Sequence, residues 1–523
     1  MHTRPSSVVD AFTISCQRYP QKLALLFEQE HYSFAQLYTL ATCWATSLRG
    51  AGLREGERVA LFLENSPTFI AAYLGTFMAH GIVVLVNTQY RQTELRHILR
   101  DAGVRMCVTD GARWPELQHV VQDTPLLDYV IVHSMEPLPE AQYDALTVID
   151  DTTFVVQDPS VEETTSNPLK PTDIALIGYT SGTTGRSKGA MLTHGNLIAN
   201  SIAVTSAWQW SKDDRLLLTL PLFHIHGLGV GLMGTLLTGS TIDLRRRFDA
   251  AEVYNTLLQG QVTMFFGVPT MYTRLIAEAQ QRDVRPDPIR LYVSGSAPLS
   301  QQTFEAFAEL CGQQILERYG MTETIMNLTN PYEGERRPGT VGMPFPGQEA
   351  RIVDVQTRAP LADGETGEIQ VCGPNVFQGY WRNQAATAAA FDGEWFNTGD
   401  LGWRSADGYF TISGRARELI ISGGYNVYPR EVEDVLLTHP DIAEAAVIGW
   451  PHPDFGEQVV AVVVPQPAMR ATLDAQEVIR WCRERLAAYK KPQQVLFSSQ
   501  LPRNALGKVQ KHILKQHYEQ EEQ

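Results

Sequence analysis

Over the first 170 residues, short apolar runs alternate with longer segments whose apolar positions recur at helical spacing. Ser33-Phe34-Ala35-Gln36 has the spacing of a capping box, so a helix should open there and stop near Gly50 and Gly52. The run VALFLE at 59–64 reads as a strand. Residues 69–86, FIAAYLGTFMAHGIVVLV, carry no Asp, Glu, Lys or Arg over about the minimum length of a membrane span. His80-Gly81 nevertheless divides them into a helix-like half and a β-branched half. With 59–64 in front, the segment reads as a β-α-β unit with fully buried parallel strands. Residues 151–172, acidic and rich in Ser, Thr and Pro, read as a surface loop. The alternation then resumes, with VTMFFGVPT (262–270) and IRLYVSGSA (289–297) as buried strands ending in Pro or Gly turns. Such a pattern predicts an α/β fold with mostly parallel sheets.

Around 340–415 the texture changes to Gly-punctuated segments, GTVGMPFPG, DGETGEIQVCG and DGYFTISG. These predict small antiparallel strands and hairpins, a β-barrel-like appendix to the large domain. After Gly414 come a helical pattern at 431–438, a strand at 459–464 and an amphipathic helix at 475–488. The expected organisation is an N-terminal domain over 1–414, a hinge at 415–418 and a small α+β C-terminal domain over 419–523.

At 523 residues the chain exceeds what one core usually supports, in agreement with two domains. Its 44% apolar and 19% charged residues are those of a globular protein. Forty-three Lys and Arg against 58 Asp and Glu give a net charge of −15. That balance disfavours nucleic acid and anionic membranes, and any anion site must be built locally. Six scattered cysteines without C-x-x-C spacing argue against a disulfide framework and a structural zinc. The opening MHTRPSSVVDAF lacks the pattern of a signal peptide, so a reducing cytoplasmic setting is expected.

The strongest local feature is Tyr179-Thr-Ser-Gly-Thr-Thr-Gly-Arg-Ser-Lys-Gly-Ala-Met191. Its glycines at 182, 185 and 189 let the backbone approach a ligand, and its hydroxyls and amides can form an anion-binding concavity. Arg186 and Lys188 add positive charge. The stretch follows the apolar run DIALIGYT, where phosphate loops of α/β proteins sit, yet it lacks the G-x-x-x-x-G-K-[ST] order of the ATPase loop.

This segment resembles the glycine-rich loop of the adenylate-forming superfamily, which includes acyl-CoA synthetases. The family's other segments follow in order: Pro221-Leu-Phe-His-Ile-His-Gly227, Tyr319-Gly-Met-Thr-Glu323, Thr398-Gly-Asp400, the run from Gly414 to Val427, and Pro502-Arg-Asn-Ala-Leu-Gly-Lys508. The resemblance implies an ATP-dependent acid:CoA ligase that forms an acyl-adenylate and then a thioester, with ATP, magnesium and coenzyme A as cofactors. It gives the β- and γ-phosphates to Thr180, Ser181, Gly182, Thr183, Thr184, Gly185 and Lys188. Thr322 takes the α-phosphate, Glu323 the metal, and the ring of Tyr319 the adenine. Asp400 takes the ribose hydroxyls with help from Arg415. Lys508 enters the site for adenylation and leaves it when the mobile C-terminal domain rotates at Arg417, which presents the loop with Gly423 and Gly424 to pantetheine.

Within the superfamily, 223–228, 290–299, 321–336, 422–429 and 501–504 are similar to malonyl-CoA synthetases, and Ile325 and Gly229 depart from their pattern. That similarity implies a small dicarboxylate held by Arg290, with His224, Gly295 and Met326 around the acyl group. A medium- or long-chain fatty acid is the alternative substrate, a carrier-protein thiol reached in trans the alternative acceptor, and a structural strand-end ion pair the alternative role of Arg290.

Overall fold

The computed structural model describes residues 4–133, 146–156, 168–180, 186–282, 284–422, 425–452, 455–470, 472–504 and 507–521. Among these residues the strands form four sheets. The first is parallel through six strands, in the order Leu316–Tyr319, Leu291–Ser294, Met264–Gly267, Arg215–Leu218, Thr241–Leu244 and Leu23–Phe27. Antiparallel strands close its edges. The second is parallel from Ile174–Thr180 through Ile82–Leu85, Arg58–Phe62, Val104–Asp110 and Tyr129–His133 to Thr147–Asp150. The strand Lys188–Thr193 folds back antiparallel on Ile174–Thr180.

Local chemistry accounts for the helices that join these strands. Ser33 caps Phe34–Gly50 through a complete capping box, its Oγ accepting from the Gln36 amide at 3.2 Å while Gln36 Oε1 accepts from the Ser33 amide at 2.8 Å. Pro67–Met78 is buried on all sides and leads through His80, at φ +61°, into the buried strand Ile82–Leu85. The apolar segment 69–86 is therefore core, and among the described residues no helix is long and apolar enough to cross a membrane. Gly75 lets this helix approach its neighbour: a Cβ there would stand 2.5 Å from Trp44 Cβ.

The third sheet is antiparallel and holds Glu349–Val353, Gly367–Cys372, Trp395–Arg404, Phe391–Asp392 and Phe410–Arg415. A 3₁₀ turn, Ala416–Glu418, follows its last strand. The strands beyond it pair only with one another, over their own apolar core of Ile420, Val432, Leu436, Val459, Ala461 and Val478.

Two expectations need adjustment. The helix expected to reach 488 ends at Arg483, where the Arg485 amide tightens onto the Cys482 carbonyl in an i→i−3 bond of 3.1 Å. The segment 151–172 opens with a short helix, Asp151–Phe154, whose end residues are buried; 157–167 lie outside the described residues.

Candidate active site

Segments far apart in sequence meet at the carboxyl ends of the parallel strands, where open α/β sheets bind ligands. Thr180 ends one strand, Tyr319 ends another, and the third sheet brings Asp400 opposite Arg415. Asp400 is 4% exposed, and its Oδ1 accepts from Arg415 Nε at 2.9 Å while its Oδ2 accepts from the Tyr319 hydroxyl. The carboxylate raises the guanidinium pKa of Arg415, and burial together with Asp400 holds the Tyr319 phenol protonated. A carboxylate offers about four acceptor positions, so Asp400 keeps capacity for two further donors.

Glu323 is 5% exposed; its Oε1 accepts from Tyr380 Oη at 3.0 Å and from Thr180 Oγ1 at 3.3 Å. Burial raises its pKa, and those donors and Arg415 oppose the rise. Gly178 admits the neighbouring Thr322, whose Cγ2 lies 2.6 Å from where a Cβ would stand. Lys188 pairs across the hairpin with Thr180 and holds Nζ 4.6 Å from the centre of the Tyr380 ring. Ser181, Gly182, Thr183, Thr184 and Gly185 lie outside the described residues, as do Gly423 and Gly424.

The last segment of the chain closes over this face. Lys508 donates its amide to Asn504 Oδ1 at 2.9 Å. Burial, with Arg415 adding, pushes its amine down to about 8; Asp400 and Glu418 act in the opposite direction. Gly507, at φ +75°, is fitted against the helix Pro269–Gln280: a Cβ there would meet Thr270 Oγ1 at 2.8 Å. A cleft of about 510 Å³ opens beside this contact, lined by Pro221, Phe223, Thr270, Arg274, Arg503 and Gly507 among others. Arg417 lies exposed in the 3₁₀ turn, its pKa lowered by partial desolvation and by Arg415.

Next to Tyr319 the structure buries a cation that the sequence reading passed over. Arg318 precedes Tyr319 on the same strand, is 2% exposed, and leaves Nε and Nη2 without a hydrogen-bond partner. Burial lowers its pKa to about 9. Gly295 makes room for it, since a Cβ there would stand 2.5 Å from Arg318 Cζ. Arg318 and burial hold His224 down at about 4 and His226 well below its ordinary value, so both imidazoles are neutral at pH 7. His226 Nδ1 lies 3.2 Å from Ser296 Oγ, and its buried Nε2 has no partner.

Arg290 is not part of this assembly. It lies before the strand whose far end carries Gly295, with roughly 16 Å of extended chain between them. Its guanidinium makes a two-pronged pair with buried Asp214, at 2.9 and 3.0 Å, and donates to the Trp208 carbonyl at 2.8 Å. Its carboxylate-binding edge is thus already filled, and the expectation that Arg290 holds the acid is corrected. Met326 is 1% exposed, and its carbonyl takes hydrogen bonds from Asn200 and Asn375. Ile325 beside it occupies a left-handed backbone position, φ +61°, and packs where Gly229 leaves space, its Cγ2 3.2 Å from a Cβ built there.

Of the residues the sequence reading missed, Arg318 carried a signal: Glu317-Arg318 is a charged pair inside an otherwise apolar strand. Tyr380 carried none, because its contact with Glu323 is purely tertiary.

The model of the AMP-binding enzyme family matches residues 12–381, and that of the AMP-binding enzyme C-terminal domain matches 431–508. A long-chain-fatty-acid–CoA ligase of Bacillus subtilis is 34% identical over 518 residues, 95% of this chain and 92% of its own. A malonate–CoA ligase of Arabidopsis thaliana is 32% identical over 502 residues, 90% of this chain and 80% of its own. Among solved structures, ATP-bound MatB from Rhodopseudomonas palustris superposes with a TM-score of 0.87 at 37% identity, over 98% of this chain and 99% of that one.

Proposed function

The chain belongs to the AMP-binding enzyme family as an ATP-dependent, AMP-forming acyl-CoA ligase, and from that premise we propose that its acid is a small dicarboxylate of the malonate type, read by Arg318. The observation that carries this reading is the buried guanidinium with Nε and Nη2 unpartnered beside two neutral histidines. A buried cation without an anion costs several kcal/mol, and a second carboxylate on the acid relieves that cost. The malonate–CoA ligase relative supports the same substrate class, and the fatty-acid ligase relative supplies the competing one.

Adenylation brings a carboxylate against the α-phosphate of ATP, two anions that repel, so cations and oriented donors must surround them. Lys508 supplies charge shared between the two, Thr322 a hydroxyl, and Asp400 with Tyr319 a grip on the nucleoside. Glu323 fits magnesium: it is a buried carboxylate whose side-chain donors among the described residues, Tyr380 and Thr180, both meet Oε1, and magnesium on nucleotides needs only one or two protein carboxylates. When bound, the ion neutralises charge on the phosphate oxygens. His224 stays neutral and borders the acyl group without adding charge. The 415–418 turn, with Arg417, is the hinge about which 419–523 swings away from 1–414 before coenzyme A attacks.

A panel of acids assayed for AMP formation with and without coenzyme A tests the substrate. Malonate or its methyl derivative should lead, and Arg318→Gln should cut its kcat/KM by about 100-fold while a monocarboxylate of equal size loses far less. Preference of the wild type for octanoate or longer acids over malonate would end the dicarboxylate reading and leave the ligase activity standing.

A further inference from the structure

Glu323 sits in the turn between the strands Leu316–Tyr319 and Leu328–Thr329, where neither helix nor sheet fixes its side chain. The groups that hold this turn come from the segment 375–380 instead. Asn375, 1% exposed, donates from Nδ2 to the Thr324 carbonyl at 2.6 Å. The Phe377 amide donates to the Glu323 carbonyl at 2.8 Å, and the Tyr380 hydroxyl donates to Glu323 Oε1 at 3.0 Å. One short segment thus grips both the backbone and the side chain of the carboxylate that fits magnesium.

Tyr380 is itself firmly placed. Gly379–Tyr380 adds an edge strand to the second sheet, pairing with Met191 and Ala190 of the strand Lys188–Thr193. The Tyr380 amide donates to Thr387 Oγ1 at 2.9 Å, and the Phe377 ring stands edge-on to the phenol at 4.9 Å. Trp381, the next residue, anchors the segment: its indole Nε1 donates to the Asp101 carbonyl at 3.1 Å and its amide to the Gly189 carbonyl at 2.7 Å. The Tyr380 side chain, 8% exposed, then turns its ring face to Lys188, whose Nζ lies 4.6 Å from the ring centre, and its hydroxyl to Glu323. Packing and backbone pairing therefore leave that hydroxyl little freedom to point elsewhere.

We propose that Tyr380 is a positioning residue which, by holding Glu323 Oε1, leaves Oε2 as the oxygen offered to the metal. The inference rests on the magnesium reading of Glu323 above. Thr180 Oγ1 reaches the same oxygen, at 3.3 Å, so both neutral donors gather on one side of the carboxylate. An oxygen occupied by two donors has little acceptor capacity left, while the other keeps its own. The carboxylate is thereby steered towards binding through one oxygen, which suits an ion that demands near-ideal octahedral geometry and keeps several waters. Hydrogen bonds to a ligating carboxylate set its orientation, and their loss shows as weakened metal binding even though the ligand itself remains.

The test titrates Mn²⁺, a paramagnetic stand-in for magnesium, into the full chain holding an ATP analogue with an uncleavable α,β-methylene bridge, and follows binding by electron paramagnetic resonance. No acid is present, so the result is independent of which acid the enzyme takes. Tyr380→Phe keeps the ring that packs on Phe377 and faces Lys188 but removes the hydroxyl. Its affinity for Mn²⁺ should fall about tenfold, while its melting temperature and its metal-free affinity for the analogue stay near wild type. Thr180→Val, which removes the other donor on the same oxygen, should act in the same direction, and Glu323→Gln should lose the most. In turnover, the magnesium concentration giving half-maximal rate should rise in step for Tyr380→Phe, with the KM for ATP at saturating metal changed less than about threefold. Unchanged Mn²⁺ affinity in Tyr380→Phe overturns the proposal. So does an equal loss of metal-free analogue affinity together with a lowered melting temperature, which would make the hydroxyl a support of the fold. Unchanged Mn²⁺ affinity in Glu323→Gln would instead strike at the magnesium reading itself.

Discussion

Two arginines separated by 27 residues of chain show how far a side chain's meaning depends on which end of a strand it occupies. Arg290 precedes one short buried strand of the parallel sheet and Arg318 lies within the next, and the sequence reading chose Arg290. Position decides: Arg290 stands at an amino end beside Asp214, while Arg318 stands next to Tyr319 at the carboxyl end, where ligands bind. Arg290→Ala should therefore act on stability. It leaves Asp214, 5% exposed, as a buried carboxylate without its partner, a loss of about 3–5 kcal/mol. Urea denaturation should show that loss, and the ratio of malonate to monocarboxylate activity should stay at the wild-type value in whatever fraction remains folded. A changed ratio with unchanged stability would return Arg290 to the acyl pocket.

At the level of elements, what could be read in advance is what local chemistry fixes. The capping box at Ser33, the buried helix and strand of 69–86 and the strands at 264–267 and 291–294 follow from side-chain pattern and turn residues. The π-helix His226–Leu232 does not show in that pattern; its Gly229 packs against Ile325, nearly a hundred residues on, where a Cβ would lie 3.2 Å from Ile325 Cγ2. The helix His194–Ala207 adds a pH dependence that follows from its geometry. His194 is its first residue, 1% exposed, with Phe77 edge-on at 4.9 Å and Nδ1 accepting from the Val8 amide at 3.4 Å. Burial, with His80 adding, holds it down at about 4; Asp173 and Asp10 act the other way. The amino end of a helix also disfavours a cation. Because the folded pKa lies below the unfolded one, near 6.5, stability is full above that value and is lost as pH falls towards 4. The contribution lost by pH 5 is roughly 2 kcal/mol. His194→Gln, which keeps an acceptor but cannot titrate, should lose correspondingly less stability between pH 7.5 and 5 in urea titrations; identical slopes would remove His194 as a source.

The molecule as a whole must serve two reactions at one place, and its organisation bears on how. Among the described residues, strands up to Arg415 and strands from Ile420 onward pair only within their own segments, and the tail carrying Lys508 meets the rest through the Ala416–Glu418 turn, the helix Pro429–Leu437 against the strand Phe410–Arg415, and contacts such as Gly507 on Thr270. The two-part reading was legible in the separate helix, strand and helix patterns after Gly414, whereas the place of Lys508 in the field of Asp400 and Arg415 was legible only through the family resemblance. With Lys508 in the role proposed for adenylation, the first step becomes sensitive to alkali. With its amine near 8, Lys508 loses its proton as pH rises through that value, and with it the charge that offsets the repulsion between carboxylate and phosphate. The kcat/KM for adenylation should accordingly fall above about pH 8, while thioester formation from supplied acyl-adenylate, with the tail rotated away, should lack that limb. Lys508→Arg, which stays charged, should abolish the limb at some cost in rate. Lys508→Ala should nearly eliminate adenylation and spare the second step. Single-turnover measurement of each half-reaction across pH distinguishes these outcomes. Equal loss in both halves would mean that Lys508 supports the fold or that the tail stays where it is, and the single site would then have to accommodate the thiol without opening.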